Sequence, residues 1–215
     1  MKKFAVILAG SGVYDGAEIH EATLTLLAIA KNGGTYEIFA PDIPQHHVIN
    51  HLNGEVMQET RNVLVEAARI ARGNIKPLST FRSMDFDALI LPGGFGTVKN
   101  LSTWAFDGDN CTVHPEVENA IRSMNNERKP VGAMCIAPVI LAKLFKNCHL
   151  TTGQDEASGD FIRKTGNKYV KTTYGEVVTE REKNFFSTPC YMLESTILDI
   201  EAGTNNIVRE MLKYM

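Results

Sequence analysis

Lys129-Pro-Val-Gly-Ala-Met-Cys-Ile-Ala-Pro-Val-Ile-Leu-Ala-Lys-Leu144 is the stretch on which the fold turns. Val131 to Met134 is a short apolar run of strand character. From Pro138 the apolar pattern becomes helical, and proline suits a first helical turn because its missing N–H has no partner there anyway. One cysteine, Cys135, stands between the two. Strand, sharp turn and helix with a thiol at the turn is the arrangement of a nucleophile elbow, in which a strained residue lifts its side chain over the sheet. The G-x-S-x-G form of that elbow is not matched, since Gly132 lies three residues before Cys135 and Ala137 stands where the trailing glycine would fall. A buried packing cysteine is the competing explanation.

Working outward, the same alternation recurs. Phe4–Leu8 is a β-branched apolar run suited to a strand covered on both faces. Gly10-Ser-Gly12 breaks it, and Asp15 is placed to cap a helix over Gly16–Lys31 that stops at Asn32-Gly33-Gly34. Tyr36–Ala40 and Ala88–Leu91 read as strands, Thr60–Arg72 and Pro115–Asn125 as helices. Past the elbow, His149–Thr152, Tyr169–Thr172, Val177–Thr179 and Phe185–Thr188 read as strands, and Phe161–Lys164 as a helical turn. The turn-like Glu180–Asn184 joins the last two strands. Two terminal helices are expected, over Met192–Glu201 and Thr204–Tyr214. This pattern predicts one α/β domain over residues 1–215, with a mainly parallel sheet and helices on both faces. Ligands in such folds bind beyond the carboxyl ends of the strands.

Composition narrows the partners. The 215 residues carry a net charge of -3, which leaves no basic footprint for nucleic acid. No apolar run approaches the roughly 20 residues that span a membrane. Cys111, Cys135, Cys148 and Cys190 form no zinc spacing and read as free thiols of a cytoplasmic protein. His46, His47 and His51 lie in a polar segment without acidic companions at ligand spacing, so a solvated loop is expected there and no metal.

The strand ends supply the chemistry. Pro92-Gly93-Gly94 follows a buried strand, where glycines let backbone N–H groups face a ligand. The Gly94 and Ile136 N–H groups are candidates for an oxyanion hole, and the helix terminus after Cys135 is expected to draw its pKa down. Glu18 and Glu21, three apart at the start of the first helix, can share a face. One of them pointing at the thiol would move protons, while acids in a first turn also serve the helix dipole. His20, between them, is at most a supporting residue. Gly10-x-Gly12 with Asp42 hints at a dinucleotide site, but Asp15 stands where the third glycine belongs and would repel a pyrophosphate.

Val6–Glu21, Thr60–Gly73, Ala88–Gly96, Gly132–Pro138 and Thr188–Met192 together resemble the ElbB family, the isoprenoid-biosynthesis glyoxalase branch of the PfpI / class I glutamine amidotransferase-like superfamily. The resemblance spans nearly the whole chain. It implies a flavodoxin-like three-layer sandwich, a homodimer, and cofactor-independent conversion of a small 2-oxoaldehyde, glyoxal or methylglyoxal, to the hydroxy acid, with deglycase-like activity also described for relatives. Carried onto this chain, Cys135 is the nucleophile, Gly94 and Ile136 form the oxyanion hole, Gly93 and Phe95 face substrate, and Glu21, with Glu18 as its alternative, moves the proton. The departures are two. Ile136 replaces the histidine that many superfamily members carry after the nucleophile, and His149 lies too early to serve the thiol. The missing histidine leaves a rival: a redox sensor whose exposed, low-pKa Cys135 oxidises without turnover.

Overall fold

Val131–Met134 (β5), Ala88–Leu91 (β4) and Phe4–Ile7 are buried without exception. Strands of that kind need cover on both faces, and the computed structural model, which describes residues 1–215, provides it. In chain order, the first half runs Lys3–Ile7 (β1), Ile19–Lys31 (α1), Thr35–Ala40 (β2), Val63–Ile70 (α2), Lys76–Pro77 (β3), β4, Gly96–Lys99 (α3), Trp104–Asp107 (α4) and Pro115–Asn126 (α5). The second half continues with β5, Pro138–Leu144 (α6), His149–Leu150 (β6), Glu156–Lys164 (α7), Lys168–Tyr169 (β7), Val178–Glu180 (β8), Phe185–Thr188 (β9) and Ile197–Leu212 (α8).

Seven strands form one sheet in the order β3-β2-β1-β4-β5-β9-β8. Only β8 is antiparallel, pairing with β9 across the short turn that the sequence predicts. The winding changes direction between β1 and β4, where loops from adjacent strands diverge and leave a crevice. Register fixes what faces it: Ile90 lies beside Gly132, and Met134 beside Thr188. The Cys135 N–H then donates to the Thr188 carbonyl at 3.0 Å, so the elbow leaves the sheet directly beside the end of β9.

Several elements differ from their sequence expectations. Helix α1 begins at Ile19, capped by the Glu18 side chain and not by Asp15. Asp15 instead accepts from the Ile49 N–H at 2.7 Å. Helix α2 starts at Val63, where Asn62 caps it. The two terminal helices are one, α8, opened by a reciprocal Thr196–Asp199 capping box. An isolated glycine costs a helix only about 1 kcal/mol, and α8 packs on α1 and β9. Gly203 is therefore carried within the helix. His149–Leu150 pairs with Lys168–Tyr169 as a separate small sheet. Asp155 caps a full helix at α7, where only a turn is expected. The histidine segment is not a free loop, because bridges at Pro44–Asn62 and Ile49–Val56 fold it back.

Candidate active site

Cys135 adopts φ +59°, the left-handed region that a non-glycine residue rarely occupies. Such strain persists where surroundings over-determine it. Here β5 ends in a sheet-bonded N–H and α6 starts within three residues. The elbow expected from the sequence is present, with the side chain turned toward β4 and α1.

Gly93 explains how the site closes. A Cβ on Gly93 would lie 2.9 Å from the Cys135 sulfur and 2.7 Å from Glu21 Oε2. The thiol and the carboxylate thus flank the space that only glycine leaves empty. The Gly93 N–H donates to Glu21 Oε2 at 2.9 Å, and the Tyr191 N–H donates to Oε1 at 3.2 Å. The Gly93 N–H is thereby committed to the carboxylate. Gly94 sits at φ +96°, and a Cβ there would press within 2.4 Å of both Gly16 O and Glu18 N. Gly94 and Ile136 turn their N–H groups toward the Cys135 sulfur.

The two acids of α1 have separate tasks. Glu18 Oε2 accepts the Glu21 N–H at 2.7 Å, the bond of a helix cap. Glu21, with no exposed surface, carries the carboxylate that meets the thiol. Burial first, and then the neighbouring Glu18 charge, raise Glu21 from 4.5 to about 7, against the opposing pull of the Tyr191 and Gly93 N–H groups and the thiol. Glu18 thus caps α1, and its charge adds to the rise of Glu21.

Cys135 also departs from expectation. Its side chain is buried, with 7% of the residue exposed. Burial and then the Glu21 charge push the thiol well above its ordinary value, outweighing the pull of the Gly94 and Ile136 N–H groups. The helix terminus does not produce a resting thiolate, because desolvation of a buried charge is the larger effect. An exposed, acidic thiol of the kind a redox sensor requires is not what this geometry provides.

A cavity of about 360 Å³ opens in front of Cys135. Val13, Phe95, Trp104, Ile136, Tyr191 and Met192 supply most of its wall, with Gly94, Ala157 and Asp155 at its edges. Phe95 therefore faces the cavity. Trp104 and Asp155 carried no sequence signal, because both lie at ends of helices whose starts have no hydrophobic periodicity. Tyr191 follows β9 and its phenol meets His20 Nδ1 at 2.8 Å. His149 is engaged elsewhere, 2.8 Å from Glu180. Asp42 is bonded by Asn62, and the Gly10–Gly16 loop closes on itself through Gly16 N–H to Gly12 O. A wider hollow of about 450 Å³ between Leu78, Arg82, Glu116 and Glu127 is lined by serines but by no cysteine or histidine.

Comparison with known proteins agrees with this architecture. Residues 13–186 match the model of the DJ-1/PfpI family. A rat (Rattus norvegicus) protein, ES1 protein homolog, mitochondrial, is 40% identical over 221 residues, covering 98% of this chain and 83% of its own length. Among solved structures, an isoprenoid biosynthesis protein with amidotransferase-like domain from Ehrlichia chaffeensis is 36% identical. It superposes with TM-score 0.92 over 99% of this chain and 100% of its own. Glyoxalase III from Candida albicans shares the fold at TM-score 0.64 with 13% identity, over 100% of this chain and 97% of its own.

Proposed function

The chain belongs to the DJ-1/PfpI family, and from that premise we propose that it is a cofactor-independent glyoxalase of the ElbB type, with Cys135 as nucleophile and Glu21 as proton carrier. One observation carries this reading: a buried carboxylate raised to about 7 meets a buried thiol on a strained elbow. A base near neutrality accepts and returns protons at comparable cost, which suits repeated transfers in one cycle. Because burial favours the neutral thiol, attack and proton removal belong to one step. A histidine is not required where the carboxylate is itself raised into that range.

The cycle balances without a cofactor. The thiol adds to the aldehyde carbon of R–CO–CHO; an S–C bond forms as the thiol proton passes to Glu21. The Gly94 and Ile136 N–H groups hold the resulting oxyanion, which regains that proton to give the hemithioacetal. Glu21 then removes the hydrogen from the former aldehyde carbon and returns a proton to the neighbouring carbon. The enediolate between these transfers passes the hydroxyl proton of the former aldehyde carbon to the oxygen of its neighbour and so becomes a thioester of the 2-hydroxy acid. Water, deprotonated by Glu21, attacks the thioester, releasing R–CHOH–COOH and the thiol. Oxidation of one carbon is matched by reduction of the next.

Glycolate formation from glyoxal, followed by NMR, tests the reading. Cys135→Ser is expected to reduce turnover on the order of 10³-fold or more. Wild-type rates in that variant, or no glycolate from the unaltered protein, would sink it.

A further inference from the structure

The cavity wall says more than the nucleophile does. Val13, Phe95, Trp104, Ile136 and Met192 present apolar surface, and the lining contains no Lys, Arg or His. Its single formal charge is Asp155, whose Oδ2 already accepts the Ser158 N–H at 2.8 Å and the Ser158 hydroxyl at 2.6 Å. Lys99 lies beyond the wall, 5.6 Å from the Phe95 ring centroid, and donates to the Tyr14 carbonyl at 2.8 Å. A phosphate or carboxylate tail in this cavity would face a carboxylate with no counter-charge, and would be desolvated without compensation. A polyhydroxylated tail would meet mostly carbon surface, with one phenol, the Trp104 indole N–H and a carboxylate already engaged by Ser158 as its few polar neighbours. Pockets that hold whole small-molecule ligands run from about 300 to 1,000 Å³. A cavity of about 360 Å³ is in that class, and a two-carbon dialdehyde would occupy only the part beside Cys135.

Building on the glyoxalase reading, we propose that the substrate is an uncharged 2-oxoaldehyde with an apolar tail, best matched by an aryl group. Phe95, Trp104 and Tyr191 offer faces and edges for ring contact. Tail burial is present before and during the reaction, so it should act through KM more than through kcat. Specificity also comes from rejection: the Asp155 carboxylate disfavours anionic analogues.

Two matched compounds test this, phenylglyoxal and 4-carboxyphenylglyoxal, which differ in one charge remote from the reacting carbons, with glyoxal as reference. A single added methylene in an apolar pocket changes specificity by roughly tenfold or more. The proposal therefore expects kcat/KM for phenylglyoxal at least ~10-fold above glyoxal, carried mostly by KM, and 4-carboxyphenylglyoxal at least ~10-fold below phenylglyoxal. Ala157→Arg adds a cation at an exposed edge of the cavity and is expected to reverse the order of the aryl pair. Glyoxal turnover with no preference for phenylglyoxal, or equal rates for the aryl pair, would overturn the substrate class while leaving the glyoxalase reading intact. Calorimetric titration of the Cys135→Ser protein with the same pair separates the two claims when no compound turns over. Preferential binding of phenylglyoxal supports the apolar-tail site even then, and equal or absent binding overturns it.

Discussion

Two buried carboxylates follow β1, six residues apart in sequence, and they do opposite things. Asp15, 4% exposed, and Glu21, 0% exposed, are both raised by burial. Each accepts a backbone N–H from a distant segment: Asp15 from Ile49, and Glu21 from Gly93 and Tyr191. Yet Asp15 lies against the folded-back histidine segment, 3.8 Å from His51 Nε2, whereas Glu21 faces a thiol at the floor of a cavity. A raised pKa marks desolvation, and desolvation alone serves to clasp a loop. Proton-transfer chemistry additionally needs a reactive partner and a way in for substrate.

The largest effect that sharpens this contrast is on turnover. Glu21→Gln keeps the shape of the side chain and removes the base. Glyoxal turnover should fall ~10²- to 10⁴-fold, the usual contribution of a positioned acid–base group. Asp15→Ala should lower turnover far less, because no bond joins Asp15 to the elbow. Assays of both variants in one buffer series check this, and equal losses would erase the distinction between clasp and catalyst.

The sign of the pH dependence follows from the same burial. Glu21 binds its proton more tightly folded, at about 7, than at its ordinary value of 4.5. Its contribution to stability is therefore fully present below about pH 4.5 and lost as pH rises through about 7. At about 1.4 kcal/mol per unit, the loss is at most roughly 3 to 4 kcal/mol across that window. Urea unfolding of the unaltered protein and Glu21→Gln over pH 4–8 should show this slope in the first and not in the second. Turnover should move oppositely, rising through about pH 7 as the carboxylate becomes free to accept the thiol proton.

How far the sequence reaches is seen in the same two residues. The elbow strand Val131–Met134 and the helix from Pro138 were legible because both faces of β5 are buried and proline marks a helix start. Spacing does not separate Glu21 from Glu18, since it places both on one face. What separates them is Glu18 folding back as a cap, a three-residue local bond that carries no pattern of its own. The protonated thiol was not legible at all. A helix start next to a cysteine argues for a thiolate, and the opposing burial comes from β4, α1 and the end of β9 together. Asp15 illustrates the same limit: it looked like a cap for α1, while its actual partner, Ile49, lies 34 residues away.

A smaller effect tests the clasp itself. Asp15→Ala leaves the Ile49 N–H without its acceptor, and an unmatched, partly buried donor costs about 1–3 kcal/mol. The unfolding free energy from urea titration should fall by that amount, with hydrogen exchange rising selectively between Gln45 and Val56. An unchanged exchange pattern there would show that the bridges at Pro44 and Ile49 hold the segment without Asp15.

The smallest effect isolates backbone from side chain at the Glu21 carboxylate. Tyr191 reaches the site twice, through its N–H to Glu21 and through its phenol to His20 at 2.8 Å. Tyr191→Phe removes only the second, a partly exposed hydrogen bond worth about 0.5–1.5 kcal/mol at most. Turnover should drop by no more than about tenfold, and the midpoint of the pH–rate profile should stay near 7, because burial and the Glu18 charge, which set Glu21, are untouched. A midpoint displaced by a full unit would mean that the phenol, with His20 behind it, is part of the proton circuit. Glu21 would then share the task that its isolation from Asp15 otherwise assigns to it alone.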